Sequence, residues 1–257
     1  MRILLTNDDG VHADGIRVLY ECLNQIAEVT IVAPLEEKST TGHTLTLNQP
    51  LRVQQIEQNI FGCSGFPADC ILMALGCLQT ESPPDLIVSG INRGANLAQD
   101  IYYSGTVAGA REGAFHGIPA IAVSTVTDVL NQDQPIYYFT AGLFIREFIT
   151  HGLHNFIPPM GVVNVNVPNL EKEKIHGVTL ANLGFRNYSE DIEKRIDCRN
   201  RPYYWIGGNY RGDRDIQGSD CEIVSKGNIS VGLLNLLHRT GFDETKFKQQ
   251  VGEFVFK

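Results

Sequence analysis

The sequence lacks the signatures of several large enzyme classes. No GxxxxGK[ST] loop, GxGxxG turn or GxSxG elbow occurs in the 257 residues. P-loop, common dinucleotide-binding and serine-hydrolase readings therefore lose their main support. HExxH and HxH are missing as well. None of the six cysteines forms a CxxC pair, which argues against a zinc ribbon or a redox motif. Cys63, Cys70 and Cys77 are evenly spaced, but their surroundings are apolar, and they read as free, buried thiols. No run reaches the ~18 apolar residues of a membrane span. The best stretch, Ile136 to Ile149, carries Arg146 and Glu147. Only Ile3 to Leu5 separates Arg2 from the polar start of the TNDDG segment, too little for a signal peptide. No membrane partner and a cytoplasmic location are the expectation. Positive charge is scarce: 21 Lys+Arg face 29 Asp+Glu, a net −8. A nucleic-acid polymer is thus a poor partner, since binding to it rewards Lys and Arg. A small anion remains acceptable where a cation or local donors overcome the overall field.

What is present is ordinary globular composition, 43% hydrophobic and 19% charged. At this length it implies one large domain, or one with a smaller appendage. Arg2 to Thr6 reads as a buried parallel strand, Gly15 to Gln25 as a helix and Glu28 to Ala33 as the next strand, a βαβ unit. Glu36 to Asn59 reads as a polar loop and an exposed hairpin. Helices are expected at Pro67 to Leu78, Thr106 to Gly117 and Ile136 to Thr150. Strands are expected at Asp85 to Ser89, Ala120 to Ser124 and Gly161 to Asn166. The alternation predicts a Rossmann-like, doubly wound, mostly parallel α/β sheet. We divide the chain into a core, 1–168, and a C-terminal extension, 169–257. The extension holds an irregular or hairpin-forming aromatic arm at 170–215, a strand or helix at Ile229 to Leu237 and an amphipathic tail.

Three strands end in polar clusters: Thr6-Asn7-Asp8-Asp9-Gly10, Ser39-Thr40-Thr41-Gly42 beyond Pro34, and Ser89-Gly90-Ile91-Asn92-Arg93-Gly94. In a parallel sheet all three leave the carboxyl edge and can converge. Adjacent carboxylates repel in a dry crevice, and a hard divalent cation with oxygen ligands holds both ionised. Asp8 and Asp9, with the neutral oxygens of Ser39 and Asn92, suit Mg²⁺ or Mn²⁺ better than zinc. By itself, Asp8-Asp9-Gly10 reads first as a solvated turn. Further on, Ser104 reads as a helix N-cap, and Gly105 lets backbone approach a ligand. A helix start of this kind can cradle phosphate, although a plain capped helix would look the same. His12 and His43 lie in the candidate loops but read as lone histidines.

Taken together, TNDDG, STTGHTLT, SGINRGAN and YSGTVAGAREGAFHGIPAIAVS resemble the SurE family of survival proteins, in order and at natural spacing. The resemblance is close over residues 1 to 124 and looser beyond. It implies a 5′/3′-nucleotidase: one divalent cation per subunit held by Asp8, Asp9, Ser39 and Asn92, and phosphate held by Asn96, Ser104, Gly105 and Thr106. The implied substrate is a nucleoside monophosphate, and some members act on short polyphosphate. A homodimer or homotetramer with an exchanged C-terminal element is also implied. The chain departs from the family at Phe66, Ala98 and Gly232-Leu233-Leu234. Either Asp8 or Asp9 would serve as base for an attacking water. A covalent aspartyl-phosphate is the rival, disfavoured because no second Asp stands two positions on. A non-catalytic nucleotide-binding or scaffold protein on the same fold is the alternative from another class.

Overall fold

The aliphatic run at the N-terminus forms strand β1 (Arg2–Thr6), buried on both faces. In the computed structural model of the chain, residues 1–79, 81–127 and 134–236 are described. Helix α1 (Asp14–Leu23) and strand β2 (Glu28–Pro34) complete the βαβ unit, with β2 parallel to β1. Next come β3 (Val53–Glu57), β4 (Ile60–Cys63), α2 (Pro67–Met73), β5 (Leu86–Arg93), α3 (Gly105–Phe115), β6 (Ala120–Val126), α4 (Tyr138–Thr150) and β7 (Gly161–Pro168). The C-terminal part adds β8 (Gly177–Ala181), β9 (Arg186–Tyr188), β10 (Ile192–Ile196), β11 (Pro202–Ile206), β12 (Tyr210–Asp213), α5 (Asp220–Ser225) and β13 (Asn228–Asn235). Among the described residues no helix is long and apolar enough to cross a membrane.

One nine-stranded sheet carries the fold, in the order β3-β4-β2-β1-β5-β6-β7-β13-β8. The six strands from β4 to β7 run parallel, and β3 and β13 enter antiparallel. Successive side chains of β1 serve opposite faces, as a pleated strand requires. Ile3 and Leu5 pack with Ile16 and Leu19 of α1 and Ile145 of α4. Leu4 packs with Ile71 of α2 and with Val107 and Ala110 of α3. The result is helices on both faces of a mostly parallel α/β sheet, as predicted. Small residues bring α3 close: a Cβ on Gly109 would lie 2.7 Å from Thr6 Cγ2, and one on Gly113 2.3 Å from Ile87 Cδ1. This contact sets the start of α3 against the ends of β1 and β5.

Several expectations need correction. The hairpin at 53–63 is an integral sheet edge, because Ile60, Gly62 and Cys63 are buried beside β2. Helix α2 keeps α-geometry only to Met73, and Ala74–Leu78 is a π-turn. Strand β5 runs four residues past Ser89, through a bulge: Ser89 faces Ala122 and Asn92 faces Ser124, so β5 spends one residue more than β6. Part of the presumed arm, β8, is the far edge of the main sheet. The rest is a bent hairpin, β9–β12 at its base and β10–β11 at its tip. Residues Asn228–Asn235 form a strand, while Leu237 and the amphipathic tail lie outside the described residues. Cys22, Cys63, Cys70 and Cys221 are buried, but Cys77 and Cys198 are exposed, because the π-turn and the arm hairpin leave them on the surface.

Candidate active site

The sheet order reverses between β1 and β5, because the chain passes from β1 to β2 on one side and later to β5 on the other. A crevice outside the carboxyl ends of the strands is expected at such a switch point. A cleft of about 690 Å³ opens there. Its walls include Asp8 after β1, Ser39 after β2, Asn92 and Asn96 from the β5 end, and Ser104 at the start of α3.

Local bonds explain why each loop takes its shape. Asn7 is fully buried and closes the turn after β1, its amide donating to Gly10 O at 2.9 Å while its Oδ1 accepts from Gly10 N at 3.2 Å. The loop carrying Ser39 is fastened at both ends, by Lys38 N to Asp8 O at 2.7 Å and by Gly42 N to Tyr103 O at 2.9 Å. His43 Nε2 meets Glu112 Oε2 on α3 at 2.7 Å. Arg111 Nε donates to His43 Nδ1 at 3.0 Å, so the Nε2 position carries the ring proton. The bulge in β5 turns the chain so that Asn92 reaches the cleft, its amide donating to Gly94 O at 2.9 Å. Asn96 is pinned by its side chain to Ser124 Oγ at 2.7 Å and by its own N–H to Asn166 Oδ1 at 2.8 Å. Ser104 caps α3, its Oγ accepting from Val107 N at 3.0 Å.

Five of the eight residues read from the sequence thus share the cleft wall. Asp9 stands beside it, with Oδ2 accepting from Arg93 N at 3.1 Å. Gly105 and Thr106 lie against Asp8: the Thr106 hydroxyl donates to Asp8 Oδ1, and a Cβ on Gly105 would come within 2.7 Å of Asp8 Cβ. Sequence reasoning missed the far wall altogether. Arg186, Tyr188, Ser189, Gly207 and Gly208, from the base and bend of the hairpin, line the same cleft, beside Asp100 and Tyr103.

Both carboxyls sit above their ordinary range. Burial raises Asp8, opposed by the Thr106 hydroxyl and by backbone amides. Burial and then the negative charge of Asp8 push Asp9 up to about 6. Ionising both side by side demands a counter-charge. Among the described residues no group of three or more His, Cys, Asp or Glu could hold a metal, so a cation here would need the Ser39 and Asn92 oxygens as well. Two carboxylates, a hydroxyl and an amide oxygen form a hard oxygen donor set, which fits Mg²⁺ or Mn²⁺.

The family model for the survival protein SurE matches residues 3–190. A protein named 5′-nucleotidase SurE from Geobacter sulfurreducens is 46% identical over 236 residues, 92% of this chain and 88% of that one. One of the same name from Heliobacterium modesticaldum is 43% identical over 262 residues, 99% of this chain and 92% of the relative. A crystal structure of the SurE protein from Aquifex aeolicus superposes with a TM-score of 0.83 at 36% identity, covering 98% of this chain and all of that one. With the family model matched over residues 3–190 and these relatives matched over nearly the whole chain, the chain belongs to the SurE family.

Proposed function

We propose that the chain is a divalent-cation-dependent phosphomonoesterase that hydrolyses nucleoside 5′- and 3′-monophosphates to nucleoside and phosphate, with short polyphosphate as a further substrate. The single observation that carries this reading is the convergence of Asp8, Ser39, Asn92, Asn96 and Ser104 on one cleft. The relatives named 5′-nucleotidase support the substrate class.

Asp8, Asp9, Ser39 and Asn92 would hold the cation. When bound, it supplies Lewis-acid polarisation of a phosphoryl oxygen. The Thr106 hydroxyl holds Asp8 in place from behind. The free N–H of the Asn96 amide, the Ser104 hydroxyl and the first-turn amides of α3 donate to the remaining phosphoryl oxygens. Such donors matter most where charge builds up in the transition state, and each contributes about 3–4 kcal/mol when well placed. A carboxylate of the Asp8–Asp9 pair accepts the proton of an in-line water, the phosphorus–oxygen bond to the nucleoside breaks, and the released nucleoside oxygen takes up a proton from solvent water. The exposed Tyr203, Tyr204, Trp205 and Ile206 of the hairpin tip favour burial against further copies of the chain as a homodimer or homotetramer.

The direct test is hydrolysis of a nucleotide panel with Mg²⁺, Mn²⁺ and chelator, for wild type and Asp8→Asn. Cation-dependent turnover that drops about a hundredfold or more in Asp8→Asn is expected. Near-normal turnover in the variant, or turnover indifferent to chelator, sinks the reading. Binding of nucleotide without turnover would favour a scaffold protein instead.

A further inference from the structure

The cleft has two chemically different walls. One is polar and lies at the sheet edge, where the phosphoryl chemistry has been placed. The other comes from the hairpin, whose sequence is more than eighty residues away.

The attachment of that far wall is specific. Asp100 Oδ2 accepts from Arg186 Nη1 at 2.7 Å and from the Tyr188 hydroxyl at 2.5 Å. Gln99 holds the same strand through its backbone, accepting from Arg186 N at 2.9 Å and donating to Arg186 O at 2.6 Å. The Arg186 guanidinium lies over the Tyr210 ring, 4.5 Å from its centroid. Arg186 is thus half-buried among carboxylates and aromatic rings, and its charge is shared between Asp100 and Asp213, 3.5 Å from its Nε. Tyr188 differs. Its hydroxyl is fixed, its ring meets Tyr210 in a tilted contact at 6.0 Å and carries the Arg186 guanidinium over one face at 5.7 Å, and yet the residue is 41% exposed on the cleft wall, which leaves the other face for a ligand. An aromatic ring clamped at its hydroxyl end and left open at the cleft is a preorganised stacking platform. It has already lost the rotamer freedom that binding would otherwise cost.

Asp100 also connects the platform to the phosphate end. Its carbonyl accepts from Ser104 N at 3.1 Å, so one residue sets both the hairpin and the start of α3. Beside Tyr188, Ser189 and Gly207-Gly208 line the cleft with little side-chain bulk. A flat heteroaromatic ring fits such a surface, whereas a bare sugar phosphate would leave it unused.

The geometry points to Tyr188 as the residue that recognises the nucleobase: the base stacks on the Tyr188 ring while the phosphate lies near Asn96 and Ser104. This rests on the nucleotidase reading and adds how the nucleoside is distinguished from other phosphate esters. Stacking of this kind is sequence-tolerant, because every base presents a π-face, and it predicts broad base usage.

The test compares a nucleoside 5′-monophosphate with ribose 5-phosphate, which lacks the base, in wild type, Tyr188→Phe and Tyr188→Leu. Calorimetric binding of adenosine is measured alongside. The expected result is that the kcat/KM advantage of the nucleotide over ribose 5-phosphate shrinks about tenfold in Tyr188→Leu, and adenosine binding weakens by a similar factor. Tyr188→Phe, which keeps the ring but loses the hydroxyl clamp on Asp100, falls between wild type and Tyr188→Leu on both readouts. An equal loss on both substrates would mean that Tyr188 only braces Asp100, and would overturn the assignment. Unchanged adenosine binding in Tyr188→Leu, or none in wild type, would overturn it too. Failure of the phosphatase reading shows separately, as absence of turnover on either ester, and the adenosine measurement still decides the role of Tyr188.

Discussion

Single atoms decide the behaviour of the Asp8 carboxyl. It is packed against Gly105 so tightly that an added methyl would come within 2.8 Å of Asp8 Oδ2. Gly105→Ala is expected to cost about 1–3 kcal/mol of stability through overpacking. It should also depress cation-dependent turnover, since Asp8 must move; thermal melts and initial rates read the two effects separately. Asp9 makes the opposite case. In chelator at neutral pH its ionised carboxylate is half-buried next to Asp8, with burial the larger source of its raised pKa. Asp9→Asn should therefore melt higher than wild type in chelator, by an increment on the order of 1–3 kcal/mol. A lower melting point in the variant would contradict the electrostatic account. Asp8, Asp9, Ser39 and Asn92 were readable as a group because their types and their positions after strands agree. Thr106 was assigned to phosphate, and its actual bond to Asp8 spans 98 residues with no local spacing to announce it.

At the level of elements, the loop after β2 depends on α3. Glu112 is held below the ordinary carboxylate range chiefly by its hydrogen bond to His43, with the charge of His116 helping. A depressed carboxylate adds stability above its unfolded value, near 4.5, and that stability is lost as pH falls through the lower folded value. Wild type should therefore be more stable than Glu112→Gln at pH 6–7 by about 1–2 kcal/mol, and the gap should narrow as pH falls below the unfolded value of 4.5. Melting both proteins across that range checks the sign. A loosened Ser39 loop should also raise KM in the variant. Strands buried on both faces were plain in the sequence: Arg2–Thr6 was matched residue for residue, and the start of β7 at Gly161 as well. Strand β8 was not, because Val178 and Leu180 are 56% and 84% exposed and the segment shows no buried periodicity. The continuation of β5 was hidden by its bulge, where Gly90 and Ile91 break the regular pairing that a strand pattern assumes.

For the molecule as a whole, with a net charge of −8 and two close carboxylates, the proposed cation would act as a global stabiliser. A ligand that binds only the folded state adds about 2.7 kcal/mol at a hundred times its Kd. For a chain of this size that amounts to roughly 5–10 °C in melting temperature. Mn²⁺ should produce such a shift in wild type and little or none in Asp8→Asn; equal shifts in both would place the ion elsewhere. The fold class followed from alternation of strands and helices, whereas the hairpin's place over the cleft did not, since Arg186 and Asp100 are 86 residues apart and no local spacing announces their ion pair. One further property follows from the position of β13, which lies between β7 and β8 and bonds to both. During synthesis the slot beside β7 stays open until residues 228–235 leave the ribosome, and β8, which pairs with β13, has no sheet neighbour before then. The far edge of the sheet is therefore closed last, by a strand that threads between two already synthesised segments after the strands whose ends line the cleft are complete.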